Sequence, residues 1–147
     1  METESQDSPP RVVVGLDGSP SSHAALRWAL RHAELIGGVV DAVTAWEFPS
    51  PDGWSAPAVD ADLDVDVAHR RLADELREVL GEEGAARVDA RVVRANPVEA
   101  LLDAANGAEL LVVGSRGRGT FARALLGSVS IQCALHATCP VVIVRPR

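Results

Sequence analysis

Residues 109–130 read ELLVVGSRGRGTFARALLGSVS and contain the strongest structural signal in the chain. Glu109–Val113 is nearly all apolar, which is typical of a strand buried on both faces of a parallel sheet. A loop rich in glycine and arginine follows from Gly114, and a helix is predicted from Ser128 to about His136. A central parallel strand needs neighbours on both sides, so the rest of the chain should supply further strands and connecting helices.

The remainder of the chain repeats this alternation of strand and helix. Four further strands are predicted, at Arg11–Leu16, Val39–Trp46, Arg87–Arg94 and Pro140–Val144. Apolar residues at helical spacing separate them, and Ser19-Pro20 and Asn96-Pro97 are typical helix starts. The order predicts an α/β fold, a doubly wound sheet of five parallel strands in the order 3-2-1-4-5 with helices on both faces. Polar residues within the third strand place it at an edge.

Size and charge limit the classes of protein that fit. A length of 147 residues, 47% hydrophobic, suits one domain over residues 11–147 after a disordered tail of residues 1–10. No apolar run reaches the ~18 residues of a membrane span, so no membrane partner is predicted. The start METESQDSPPR lacks the basic and apolar stretches of a secretory signal, so a cytoplasmic location is expected. The net charge of −7 argues against a nucleic-acid partner.

The chain contains no lysine, and all 14 of its basic residues are arginine. A phosphate-binding loop that ends in Gly-Lys-Ser/Thr is therefore excluded, as is a Schiff-base lysine. Charge on a bound phosphate must be neutralised by arginine, by a metal ion or by backbone N–H groups. Cys133 and Cys139 fit neither a disulfide framework nor a zinc site and are expected to be buried, inert thiols.

The glycine-rich loop has the composition of an anion site. Glycines let the backbone approach a ligand closely, and successive N–H groups form a concave anion-binding surface. The N-terminus of the following helix adds unpaired N–H groups. Asp17 ends the first strand and Gly114 ends the fourth, so both lie where the winding direction of the sheet reverses and ligands bind. By composition alone, a flexible solvated turn fits this loop equally well.

The spacing of the loop resembles a known family. Gly114-x2-Gly117-x9-Gly127-Ser128 is similar to the signature of ATP-binding universal stress proteins, and the resemblance extends from VVVGLDGSPSS near the start to PVVIVRPR at the end. The resemblance implies a Rossmann-like fold and a homodimer built around the last strand. It also implies a stress-response regulatory protein that binds ATP, or another adenine nucleotide, with little or no turnover.

The resemblance also assigns a nucleotide site, position by position. The site residues that it implies are Gly15, Asp17, Ala45, Gly114, Ser115, Arg116, Gly117, Arg118, Gly119, Gly127, Ser128, Val129 and Ser130. The backbone of Ala45 would meet the adenine edge, and Asp17 would bind the ribose or the metal–phosphate region. Mg²⁺ is expected with the triphosphate, held largely by phosphates and water. The family usually has Gly-x-Pro where this chain has Ala95-Asn96-Pro97, so the fit near the adenine is the weaker part.

Three functions remain open on these residues. A nucleotide-binding regulatory protein is favoured, because no Ser-His-Asp or Cys-His set is visible and no catalytic residue is assigned. A slow ATP hydrolase or autophosphorylating enzyme would depend on Asp17, the one obvious acidic candidate. A nucleotide-free dimerising stress protein is the third alternative, and the intact glycine signature argues against it. The long irregular segment 47–60 has no assigned role; its Trp54 would cover a ligand or, as we favour, pack on the surface or on a dimer partner.

Overall fold

The computed structural model describes residues 8–46, 61–116 and 126–146, with the backbone alone at 61–64. Its five strands are β1 (Arg11–Gly15), β2 (Val39–Trp46), β3 (Val88–Arg94), β4 (Leu110–Gly114) and β5 (Val141–Val144). Its helices are α1 (Pro20–Ile36), α2 (Ala61–Ala85), α3 (Pro97–Ala104) and α4 (Ser128–His136). The strands form one parallel sheet in the order β3-β2-β1-β4-β5. The predicted fold is confirmed.

The two halves of the sheet meet between β1 and β4. Val13 pairs with Asp41 of β2 on one side and with Leu111 of β4 on the other, so β1 is central. The middle residues of β1 and β4 are fully buried, which explains why these strands are unbroken apolar runs. The carboxyl ends of β1 and β4 are therefore neighbours. The loops that follow these two strands begin side by side and run in opposite directions.

Alternate residues of the strands feed two separate cores, because successive side chains point to opposite faces of a sheet. On one face, Val12 and Val40 pack with Leu26 of α1 and Leu72 of α2. On the other face, the core is built by β1, β2 and β4 with α3 and α4, and its buried members include Val13, Val43, Leu101, Leu111 and Cys133. The sheet is thus covered on both sides, as parallel sheets require.

Helix boundaries follow local capping chemistry. Ser19 Oγ accepts the N–H of Ser22 at 3.1 Å to begin α1, and Asn96 Oδ1 accepts the N–H of Glu99 at 2.9 Å to begin α3. Gly37, with φ 68°, ends α1 in the left-handed conformation. The sequence predicts that Gly107 ends α3, whereas α3 ends at Ala104 and Gly107 turns the chain toward β4 with φ 76°.

The tryptophans of the described ranges depart from expectation. Trp28 and Trp46 lie on faces that the sequence predicts to be apolar, which predicts core positions, but both are only half-buried. Trp46 is the last residue of β2 and lies under the Arg94 guanidinium, 5.5 Å from ring centroid to Cζ.

Cys133 is fully buried, and burial raises its pKa to about 11; Cys139 is half-buried, and burial also raises its pKa. Within the described ranges, no helix has the length and apolar character needed to cross a membrane.

Candidate functional site

A cleft opens at the carboxyl ends of β1 and β4, where the winding of the sheet reverses. It holds about 610 Å³ of empty space, solvent at its mouth included. Its lining comes from the ends of three strands and from α1, α3 and α4: Gly15, Leu16, Asp17, Ser22, Val43, Ala45, Pro97, Leu101, Val113, Gly114, Arg116, Gly127, Ser128, Val129 and Ser130.

The interior of the cleft is apolar. Val43 and Ala45 share the face of β2 that points toward α3, and Leu101 closes the same wall from α3. Leu101 packs so closely on β1 that a Cβ built on Gly15 would lie 2.8 Å from its Cδ1 atom. The glycine at position 15 is therefore explained by close packing against α3. An aromatic base suits a wall of this kind, because it buries apolar area on both ring faces.

Asp17 stands at the mouth of the cleft in a fixed orientation. Its Oδ1 atom accepts the N–H of Ser19 at 2.9 Å, and its own N–H donates to Ser22 Oγ at 3.4 Å. Gly18, with φ 83°, makes the turn between them. The carboxylate is exposed, so it can reach a ligand hydroxyl or a metal-bound water.

The opposite wall is the N-terminus of α4. Gly127 is its N-cap residue and has no side chain to accept a helix N–H, so the first turn of α4 presents its N–H groups to the cleft. The N–H of Gly127 donates to the carbonyl of Ser115 at 2.7 Å, which ties the helix start to the end of β4. An exposed hydroxyl on Ser128 adds a further donor. Unpaired N–H groups and the helix dipole together favour an anion.

Two serines assigned to the site have partners within the protein. Ser130 Oγ donates to the carbonyl of Gly127 at 2.8 Å, so this hydroxyl stabilises the turn into α4. Ser115 is buried, and its Oγ atom lies 3.4 Å from Ser21 Oγ on α1 rather than in the cleft. Neighbouring Gly114 is held equally close to α1, because an added Cβ would lie 2.6 Å from the carbonyl carbon of Ser21.

The structure brings together most of the residues that the sequence assigned to the site. Those that line the cleft are Gly15, Asp17, Ala45, Gly114, Arg116, Gly127, Ser128, Val129 and Ser130. Gly117, Arg118 and Gly119 lie outside the described residues, and Ser115 is not among the lining residues. The lining residues that sequence reasoning missed are Leu16, Ser22, Val43, Pro97, Leu101 and Val113. The period of two along β2 could have indicated Val43, and the position of Leu101, one turn after Pro97, could have indicated that residue.

The side chains near the cleft can be compared with those needed by the metal ion that the family resemblance implies. In the part of the chain that the structure describes, no group of three or more His, Cys, Asp or Glu side chains could hold a metal ion. Asp17 is the one acidic residue among the described lining residues, and Arg116 is the one cation. These residues fit a divalent ion held mainly by a ligand's phosphates and water, with Asp17 as the protein's contribution.

This sheet order, with an apolar cleft and an open helix N-terminus at the switch point, defines a doubly wound α/β protein with a candidate ligand site where such folds bind their ligands. The universal stress protein family model matches residues 10–145, so the chain belongs to the universal stress protein family. The resemblance inferred from the glycine spacing is confirmed.

Curated relatives belong to the same family. A universal stress protein of Mycobacterium tuberculosis strain H37Rv is 37% identical over 142 residues, which covers 91% of this chain and 47% of the relative. One of Mycolicibacterium smegmatis is 38% identical over 143 residues, covering 96% and 47%. The chain spans about half the length of the curated relatives it matches.

Solved structures extend the likeness to three dimensions. Universal stress protein UspA from Lactobacillus plantarum superposes with a TM-score of 0.75 over 95% of this chain and 100% of that one; at 22% identity, it shows the fold alone. A universal stress protein crystallised in complex with cAMP has a TM-score of 0.65 and 31% identity, covering 96% of this chain and 100% of that chain.

Proposed function

We propose that the chain binds an adenine nucleotide, with ATP as the expected ligand, and holds it with little or no turnover as a regulatory protein of the stress response. The observation that carries this proposal is the continuity of an apolar pocket with the open N-terminus of α4 in one cleft. A nucleotide is a ligand with these two halves, an apolar base and an anionic phosphate chain. The relative that binds cAMP, at 31% identity, supports the same class of ligand.

The base is assigned to the apolar half of the cleft. Val43, Ala45 and Leu101 offer a wall on which a purine ring can pack, and the backbone of Ala45 is proposed to meet the adenine edge. The ribose then lies toward the end of β1. There the carboxylate of Asp17, oriented by its hydrogen bond to Ser19, can accept a hydrogen bond from a ribose hydroxyl.

The phosphates are assigned to the start of α4 and the loop before it. The N–H groups of the first turn, the hydroxyl of Ser128 and the guanidinium of Arg116 surround the anionic half of the cleft. Gly117, Arg118 and Gly119 complete this part of the proposal. Mg²⁺, where bound, would neutralise the phosphate chain and would be held by phosphate oxygens, water and Asp17.

The residues that line the cleft favour nucleotide binding without hydrolysis. Neither histidine nor cysteine occurs among the described residues that line the cleft, and the one acid, Asp17, already accepts a hydrogen bond at Oδ1. Hydrolysis or autophosphorylation needs a base or nucleophile at the γ-phosphate. A slow ATP hydrolase that uses Asp17 is the second candidate function.

A homodimer through β5 is also part of the proposal. β5 pairs with β4 alone among the described strands, so its other edge offers backbone N–H and carbonyl groups to a second copy. All four of its residues are half-buried, as expected for a strand that has further area to bury. Dimerisation without nucleotide is the third candidate function.

The test is nucleotide content and affinity. The purified protein is denatured and any released nucleotide identified; the stripped protein is then titrated with ATP, AMP and cAMP, with and without Mg²⁺, and assayed for ADP release. We expect micromolar or tighter binding of an adenine nucleotide and release of ADP far slower than nucleotide exchange. Failure to bind any of the three nucleotides would overturn the proposal, and turnover abolished by Asp17→Ala would establish the hydrolase.

A charge variant locates the site. Gly127 has φ −76°, so glutamate can be placed there without left-handed backbone strain, and its carboxylate would then occupy the anion position at the start of α4. We expect Gly127→Glu to abolish binding. Ala134→Glu is the matched control, because it adds the same charge at an exposed position on the same helix. Binding that survives Gly127→Glu would place the nucleotide elsewhere.

A further inference from the structure

A second groove lies on the other face of the sheet from the cleft, between α1 and β5. Its walls include Arg27, Trp28 and Arg31 from α1, Val142 and Val144 from β5, and Arg145, which directly follows β5. Arg27 and Arg31 are four residues apart on one helix, so they project from the same face. No residue of this groove lines the nucleotide cleft.

Among the described residues, the arginines of the groove lack the ion pairs that four other arginines form. Arg11, Arg77, Arg87 and Arg91 each form an ion pair with a carboxylate. In the described part of the chain, no carboxylate forms an ion pair with Arg27, Arg31 or Arg145, and all three are exposed. A protein with a net charge of −7 therefore keeps three unpaired cations around one groove.

The floor between these arginines is apolar. Trp28 is half-buried and stacks on His32, with ring centroids 4.8 Å apart and planes 10° from parallel. The stacking holds the indole in place. Val142 and Val144 are half-buried and pack against the same core as Trp28. A fixed aromatic ring beside two valines is a surface that an apolar side chain can cover, and aromatic residues with arginine are enriched where proteins bind one another.

We propose that this groove binds an acidic segment of a partner protein. Carboxylates of the segment pair with Arg27, Arg31 and Arg145, while an apolar side chain between them covers Trp28. The planar guanidinium groups match carboxylates with two parallel hydrogen bonds. Charge complementarity selects this occupant: three arginines around one groove match a short acidic segment, whereas a nucleic acid needs an extended basic surface.

The groove and the dimer proposal use different parts of β5. Val142 and Val144 belong to the core beneath α1, so their side chains face the groove, whereas pairing with a second copy would use the backbone edge of the strand. The inference is also independent of nucleotide binding, because the two sites share no residue.

The test uses a fluorescein-labelled synthetic peptide rich in glutamate and aspartate, with leucine at every third position, and follows its anisotropy on titration with the 147-residue chain. A second peptide, in which glutamine and asparagine replace the acids, is the ligand control. We expect the acidic peptide to bind, the neutral one to bind at least tenfold more weakly, and affinity to fall as salt is raised.

Charge reversal identifies the surface. Arg27→Glu combined with Arg31→Glu should weaken binding of the acidic peptide at least tenfold. The matched control is Arg70→Glu with Arg71→Glu, two exposed arginines on α2 without an ion pair in the described residues, which should leave binding close to that of the unaltered protein. Unchanged thermal unfolding and sedimentation show that the groove variant is folded and has kept its oligomeric state.

Three results would overturn the inference. Equal loss of binding in both double variants would mean that the overall charge of the chain, and not this groove, determines the affinity for the peptide. Tighter binding of a single-stranded oligonucleotide than of the peptide would assign the groove to a polyanion. Loss of self-association in the groove variant, together with loss of peptide binding, would make the groove part of the contact between copies.

Discussion

The hydroxyl of Ser19 lies 3.4 Å from the backbone carbonyl of Arg116, to which it donates. The same oxygen accepts the N–H of Ser22 as the N-cap of α1. One side chain therefore connects the first helix to the second residue after the end of β4, across 97 positions of the sequence. In the proposed site, this contact helps to hold both walls of the cleft at a constant separation.

Replacing Ser19 should affect both stability and binding. Ser19→Ala removes the cap and the contact with Arg116, so we expect a loss of about 1 kcal/mol in the free energy of unfolding and weaker ATP affinity. Ser19→Thr keeps the hydroxyl and should restore both. Gly37→Ala is the control for general destabilisation: it strains the left-handed C-cap of the same helix, far from the cleft, by about 1 kcal/mol. Equal affinity losses in Ser19→Ala and Gly37→Ala would contradict a specific role for Ser19.

Gly15 and Leu101 should be energetically coupled. Gly15→Ala places a methyl group 2.8 Å from Leu101 Cδ1, and overpacking of this kind costs about 1–3 kcal/mol. Leu101→Ala removes the clash but leaves a cavity of its own. The double variant should therefore be more stable than the sum of the single effects predicts, by about 1 kcal/mol. Chemical denaturation of the four proteins of this double-mutant cycle measures the coupling, and additive losses would show that α3 moves away at little cost.

The ion pair of Arg11 with Asp41 should matter more than the surface pairs. Asp41 is buried, and Arg11 Nη1 donates to its Oδ2 atom at 2.9 Å. Arg11→Met leaves this carboxylate with only Arg91, 3.7 Å away, and should cost about 3 kcal/mol of unfolding free energy. Arg87→Met breaks an exposed pair with Glu34 and should cost at most about 1 kcal/mol. Similar losses in the two variants, compared by urea denaturation, would refute the ranking.

The free energy of unfolding at alkaline pH should report on the ionisation of Cys133. Burial raises its pKa to about 11 in the folded protein, so the unfolded chain loses this proton first as the pH rises. The stabilising effect is complete below about pH 8.5 and is lost as the pH approaches 11, a total of about 2–3 kcal/mol. The chain contains neither lysine nor tyrosine, so few other groups titrate in this window.

Substitution separates the two thiols. Cys133→Ala should flatten the fall in unfolding free energy between pH 9 and 11, measured by urea denaturation at each pH. Cys139→Ala is the control and should retain most of the slope, because Cys139 is only half-buried. In the unaltered protein, Cys139 should react with a thiol reagent well before Cys133, which has no exposed surface. An unchanged slope in Cys133→Ala would contradict the assignment.

Strand order was predictable because it rests on signals within short segments. The apolar run of β4 indicated a central strand, and the mixed residues of β3 indicated an edge. The approximate helix starts followed from Ser19 and Asn96, whose caps involve residues only three positions away. Contacts between residues a few positions apart can be inferred from a short stretch of sequence.

The finer geometry of the cleft was not predictable, since it depends on contacts between distant residues. The reason for Gly15 is Leu101, which approaches from a helix 86 positions later, and no local pattern connects the two. The family resemblance assigned Ser115 to the site, but the packing of β4 on α1 directs its hydroxyl toward Ser21. Trp46 was expected in the core from its apolar strand, yet its position at the end of β2 leaves it half-buried under Arg94.

The glycine that begins α4 has a thermodynamic consequence. Because Gly127 has no side chain to accept the N–H groups of the first turn, a phosphate bound in the cleft would itself become their acceptor, and the ligand would complete the helix cap. Ligand binding and ordering of this helix end would then be thermodynamically coupled, so that site occupancy and local order would rise together. Amide hydrogens in the first turn of α4 should exchange more slowly as nucleotide is added, in step with saturation, so the nucleotide level of the cell would be recorded as the rigidity of one helix end.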